Sequence, residues 1–201
     1  MVGLRFMPTN EKGYSSVWCG ATSRLAKLLL GAALLVGSCK PREGREEVRE
    51  RKLMYSSFEE LPSWHESPPA TLVTDKAHTG RYAIRVDAAS PYSPTYRVRL
   101  GALSKHRPRR LTVSAWVWVP GSEDDALLVA AITNPTDPDH PIFTKNVFLT
   151  DSGPFQKWKK VSRSLDLPRE IHADYELVLY LWYGNAQHPV YLDDITLTEL
   201  W

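Results

Sequence analysis

The chain has 201 residues, 43% hydrophobic and 24% charged, with 21 aromatic side chains (7 Trp, 9 Tyr, 5 Phe) and two Cys, which excludes a disordered or low-complexity protein. The length fits one ordinary domain plus a short extension. The formal charge of +2 resides in the first 52 residues, where Arg5, Lys12, Arg24 and Lys27 oppose only Glu11 and residues 40–52 add six basic against four acidic side chains; the rest is net negative and lacks the basic face that nucleic acid requires.

Arg24 and Lys27 precede an apolar run, Leu28 to Val36, too short to cross a bilayer of about 30 Å. With the small residues Gly37 and Ser38 after it, residues 1–38 read as a signal peptide. Val36-Gly37-Ser38-Cys39 resembles the lipobox of bacterial lipoproteins, which implies lipidation of Cys39 as the mature N-terminus. A non-lipidated signal peptide ending in a chance Cys is the alternative. Several acyl chains hold a protein firmly on a leaflet, so the expected location is the bacterial cell envelope. Lys40 is not the Asp that retains some lipoproteins at the inner membrane, which points to the outer membrane. Cys19 would be removed with the signal peptide, leaving no disulfide and no free thiol nucleophile. Residues 39–52, whose lone aliphatic side chain is Val48, read as a lipidated Cys followed by a solvated, charged tether.

The domain expected at residues 53–201 is long enough to bury about 68–70% of its unfolded surface without covalent staples. Segments rich in β-branched and aromatic residues fall at Leu53–Glu59, Thr71–Thr74, Tyr82–Asp87, Thr95–Leu100, Leu111–Val119, Ala126–Thr133, Ile142–Leu149, Trp158–Leu165, Tyr175–Tyr183 and Val190–Leu197. Breakers such as Pro68-Pro69, Pro120-Gly121 and Gly184-Asn185 separate them, and no window carries a sustained 3.6-residue stripe. About ten strands without crossover helices predict an all-β fold: a two-sheet antiparallel β-sandwich of jelly-roll type.

Alternation assigns faces to these strands. From Leu111 to Val119 the odd positions are uniformly apolar and form a core stripe, leaving Trp116 and Trp118 on the other side. Leu177, Leu179 and Leu181 likewise leave Val178, Tyr180 and Trp182 opposite. Aromatic rings directed away from the core suit sugars, whose C–H faces stack on rings while their hydroxyls bond polar partners. Rings lying under a loop are the alternative.

Phe58-Glu59, Trp64, His78-Thr79-Gly80-Arg81-Tyr82-Ala83, Ser114-Ala115-Trp116-Val117, Trp158-Lys159-Lys160-Val161 and Asp193-Asp194-Ile195 occur in the order of the landmarks of galactose-binding-like jelly rolls. The chain thus resembles that group, including the carbohydrate-binding modules appended to xylanases and laminarinases, from about Leu53 to Leu200. The resemblance implies glycan binding on a concave sheet or along one loop edge. Concave candidates are Tyr96, Trp116, Trp118, Tyr180 and Trp182, with Arg97, Arg99 and Asn146 as hydroxyl or carboxylate partners; Tyr92 and Tyr183 are candidate rim residues. It also implies a structural Ca²⁺ near Glu59, His78, Gly80 and Asp193, with backbone carbonyls completing an oxygen shell. Glu59 and Asp193 bonded to loop amides without metal is the alternative, and Asp194 is expected on the opposite side of its strand from Asp193.

Catalysis is disfavoured. Glu59-Glu60, Asp124-Asp125 and Asp193-Asp194 are adjacent pairs, which on a strand face opposite ways, whereas glycosidases need two carboxyl groups about 5–10 Å apart across one bond. Asp124-Asp125 reads as solvated acids in a turn, and the six His are too scattered to mark a metal cluster. No nucleophile elbow, phosphate loop or His-Glu-x-x-His occurs. The sequence therefore reads as a non-catalytic, membrane-anchored glycan-binding lipoprotein. The alternative is a structural or protein-interaction domain of a cell-envelope assembly.

Overall fold

The structure, a computed structural model, describes residues 49–64, 67–151 and 153–200. The expected signal peptide, residues 1–38, and Cys39 lie outside the described residues, and among the described residues no helix is long and apolar enough to cross a membrane. Ten strands follow in order: β1 (Glu50–Ser56), β2 (Leu72–Val73), β3 (Ala83–Val86), β4 (Tyr96–Arg99), β5 (Arg110–Trp118), β6 (Leu127–Thr133), β7 (Phe143–Phe148), β8 (Trp158–Asp166), β9 (Glu176–Trp182) and β10 (Val190–Leu200). Single helical turns α1 (Leu61–Trp64) and α2 (Leu100–Leu103) follow β1 and β4. Each strand lies where local β-propensity places one, with ends displaced by a few residues.

The strands form two antiparallel sheets, so the β-sandwich expected from the sequence is present. A six-stranded sheet runs β2-β3-β10-β5-β8, with β1 also paired to β10, and a four-stranded sheet runs β4-β9-β6-β7. The core is built from the alternating stripes: Leu111, Val113, Ala115 and Val117 of β5 belong to one buried cluster with Leu128, Ala130 and Ile132 of β6 and Leu177, Leu179 and Leu181 of β9. β6 reads Leu-Leu-Val-Ala-Ala-Ile-Thr and is buried on both faces, as a continuous apolar run between two neighbours allows.

Residues 50–52, expected in a tether, belong to β1, which begins at Glu50, with Arg51 opposite Glu199 and Lys52 opposite Thr198. Pairing at a sheet edge uses backbone groups, so charged side chains can enter the strand if they point outward. Arg51 moreover forms an ion pair with the wholly buried Glu199, N to O 2.8 Å, and donates to Ser104 Oγ at 3.3 Å.

β10 is interrupted by a register shift between Asp193 and Thr196 in its pairing with β5, and Asp194 takes a φ of 49°. Left-handed backbone is open to Asp where bulkier residues are strained. This bulge cancels the strict alternation expected of Asp193 and Asp194.

Leu179 is about 1% exposed at the centre of the cluster. Leu179→Ala should lower unfolding stability by about 2–5 kcal/mol in chemical denaturation, with the slope against denaturant unchanged.

Candidate functional site

The outward aromatic residues fall into two sets on opposite sheets. Trp116 and Trp118 lie on β5 in the six-stranded sheet, whereas Tyr180 and Trp182 lie on β9 in the four-stranded sheet. The expectation that they line one surface is therefore corrected: the core separates them.

On the six-stranded sheet, the loop after β2 covers the tryptophans. Asp193, wholly buried, accepts the backbone N–H groups of His78 (2.8 Å) and Thr79 (3.0 Å) on Oδ2, while Oδ1 accepts the N–H of Asp194 (2.7 Å). Through the bulge, Asp194 turns to the same loop rather than to the opposite side, accepting Tyr55 Oη (2.6 Å) and Thr79 Oγ1 (2.8 Å) and pairing with His78 Nδ1 (2.6 Å). The His78 ring, so fixed, stacks on Trp116 with centroids 3.9 Å apart and planes 14° from parallel. Lys76 Nζ stands 3.2 Å from the ring centroid of Trp118, a cation–π contact, and Tyr191 packs edge-on against the same ring. These rings hold the loop to the sheet.

Burial raises the Asp193 carboxyl from its ordinary value, against the three N–H donors that pull it down. Burial acts the same way on Asp194, but hydrogen bonds from Tyr55, His78 and Thr79 outweigh it and hold the group below its ordinary value.

The two carboxylates expected to hold calcium each accept backbone N–H groups. Glu59 Oε1 accepts the N–H groups of Arg81 (2.8 Å) and Tyr82 (2.7 Å), and Gly80, at φ 62°, allows this because a Cβ there would lie 2.5 Å from that oxygen. Asp193 accepts a different pair of amides, those of His78 and Thr79. N–H groups aimed at both carboxylates fit the alternative to a Ca²⁺ site, a loop bound through its amides.

On the four-stranded sheet, the face turned from the core forms four rows across the strands. Tyr92, in the loop before β4, bridges to Trp182, and the row continues through Leu127 to Phe148. Tyr180, Val129 and Asn146 form the next, then Arg97, Val178, Ala131 and Thr144, then Arg99, Glu176 and Thr133. The Tyr92 and Trp182 rings are parallel within 4° with centroids 6.2 Å apart, and Tyr180 leans on Tyr92 at 6.1 Å. Tyr92 is 56% and Phe148 43% exposed, while the middle-strand residues Leu127, Val129, Ala131 and Val178 form a buried apolar floor. Arg97 pairs with Glu176 at 3.0 Å; Arg99 and Asn146 are exposed.

Of the predicted binding residues, Tyr180, Trp182, Arg97, Arg99 and Asn146 thus share one face, with Tyr92 as the rim ring. Tyr96 does not belong to it: opposite Leu179 in the pairing with β9, it packs on the core, and burial raises its phenol above the usual range. Tyr183 also packs on the core rather than at the rim.

One cluster escaped the sequence reading. Asp124 is not a solvated turn acid but is wholly buried, accepting the N–H groups of Gln187 (3.0 Å) and His188 (2.8 Å) and facing His188 Nδ1 at 3.1 Å. Nothing in local pattern signals a pairing across 64 residues.

No protein-family profile and no curated protein matches the chain. Solved structures that resemble it are carbohydrate-binding β-sandwiches. The xylan-binding domain CBM22-1 of Paenibacillus barcinonensis Xyn10C is 14% identical, with a TM-score of 0.44 over 74% of this chain and 94% of that one. CBM22-2 of the same protein is also 14% identical, with a TM-score of 0.46 over 73% and 99%. TmCBM61, solved with β-1,4-galactotriose, is 14% identical, with a TM-score of 0.34 over 76% and 88%.

Asp194→Ala should cost about 2–3 kcal/mol at pH 7, since it removes a charged acceptor of three hydrogen bonds. Because the folded state holds this carboxyl below its ordinary value near 3.8, the stability it contributes is present above that pH and fades as pH falls through the lowered value. The gap between wild type and variant, measured by urea unfolding, should therefore narrow below pH 4. Asp193, held above its ordinary value, carries the opposite sign, and its contribution is lost as pH rises.

Proposed function

We propose that the domain binds glycan, without catalysis, on the outer face of the four-stranded sheet. The observation that carries this reading is the cluster of Tyr92, Tyr180 and Trp182 beside exposed hydrogen-bonding side chains on one open face. A pyranose would set its C–H face on the indole or a phenol, displacing poorly bound water, while the amide of Asn146 and the guanidinium of Arg99 engage its hydroxyls. The Arg97–Glu176 pair holds two further polar groups in place beside them. Glu176 is the sole carboxylate on the four strands, so the face lacks the second acid that glycoside hydrolysis requires.

The lipobox-like sequence supports anchoring through Cys39 in the cell envelope, with outer-membrane placement favoured by Lys40. Anchoring would raise the effective concentration of a module with modest intrinsic affinity.

A glycan array probed with the wild-type protein should yield binding that Trp182→Ala weakens at least tenfold, about 1.4 kcal/mol. Trp116→Ala should instead lower stability by about 1–3 kcal/mol, through its lost stacking with His78, and leave glycan affinity within twofold. Failure to bind any glycan would move the assignment to a structural or protein-interaction domain, and full affinity in Trp182→Ala would move the binding site off this face.

A further inference from the structure

The connection from β5 to β6 and that from β9 to β10 are joined by one buried carboxylate. Asp124, at 0% exposure, places Oδ1 on the backbone N–H groups of Gln187 and His188 and beside His188 Nδ1. Its other oxygen, Oδ2, is buried without any hydrogen-bond partner. A bare, desolvated carboxylate oxygen costs about 1–3 kcal/mol or more, and buried charges are normally paired or bound to metal. No Lys or Arg is paired with Asp124 among the described residues. Besides Tyr183, its ionisable neighbours include Glu123, a second anion, and His188: one ligand atom from each of Glu123, Asp124 and His188 lies within 4.8 Å of the others. Gly121 makes room for this, since a Cβ there would lie 2.5 Å from Glu123 Oε1.

We propose that Glu123, Asp124 and His188 bind a divalent transition-metal cation of the zinc class. Two carboxylates and an imidazole match the ligands zinc takes, whereas Ca²⁺ and Mg²⁺ prefer all-oxygen sets. Two negative charges offset the dication, and the ion supplies the partner that Asp124 Oδ2 lacks. Tetrahedral ligands at about 2.0–2.1 Å from zinc lie about 3.4 Å apart. Glu123 and His188 are exposed and free to close that gap, while two backbone amides fix Asp124. Glu123 and His188 also line a groove of about 410 Å³ with Lys76, Trp118 and Tyr191, so a remaining coordination position is open to water or a donor there. None of the three ligands belongs to the rows of the glycan face, and the proposal stands or falls independently of it.

The test is calorimetric titration of the full chain with zinc ion alone, its Cys19 and Cys39 thiols first alkylated so that they do not compete. One zinc per chain should bind and raise the melting temperature. His188→Ala should weaken binding at least tenfold and abolish that rise. Gly121→Ala keeps all three ligands but displaces the flexible Glu123 carboxylate, so it should fold normally and still bind at least threefold more weakly. Absence of zinc binding, or an affinity unchanged in a folded His188→Ala variant, would overturn the proposal.

Discussion

The bulge in the last strand determines how the rest of the surface is used. By giving Asp194 left-handed backbone, it turns two consecutive carboxylates toward one loop, where they hold two amide N–H groups, a hydroxyl and an imidazole. The loop is thereby fixed across the six-stranded sheet, and His78 and Lys76 come to rest on Trp116 and Trp118. Those indoles become part of the structure's packing. The domain has no disulfide to perform the same work, so charge-assisted hydrogen bonds between distant segments replace a covalent tie.

With the rings of Trp116 and Trp118 engaged by that loop, the aromatic cluster left without a covering loop partner is that of Tyr92, Tyr180 and Trp182 on the other sheet. Here small and aliphatic residues on β6 form a floor, β9 contributes the rings, and the polar side chains stand on β4 and β7 at the sheet's margins. Such an arrangement separates two physical tasks. The centre offers dry apolar contact with little conformational entropy to lose, and the margins supply directional hydrogen bonds. Rigid strands position both, so little reorganisation is required on binding.

Much of the fold was legible in the sequence because period-two alternation is a local property. The stripes of β5 and β9 identified the core residues directly, and the breakers located the turns. Which sheet each strand joins is a long-range property, and alternation says nothing about it; Trp116 and Trp182 looked equivalent for that reason. Tyr96 faces the core, a phase that its four-residue strand is too short for alternation to reveal. The bulge at Asp194 defeated the rule that neighbouring strand residues face apart, and Asp124 reads as a turn acid until the β9–β10 connection is folded against it.

The central claim is that glycan contacts the four-stranded sheet and that the indoles beneath the loop are structural. Indole N–H resonances, assigned by single Trp substitutions and followed by NMR during titration with a glycan positive on the array, test it most directly. The Trp182 resonance should shift in proportion to saturation while those of Trp116 and Trp118 stay fixed. Movement of Trp116 or Trp118 with a stationary Trp182 would contradict the account.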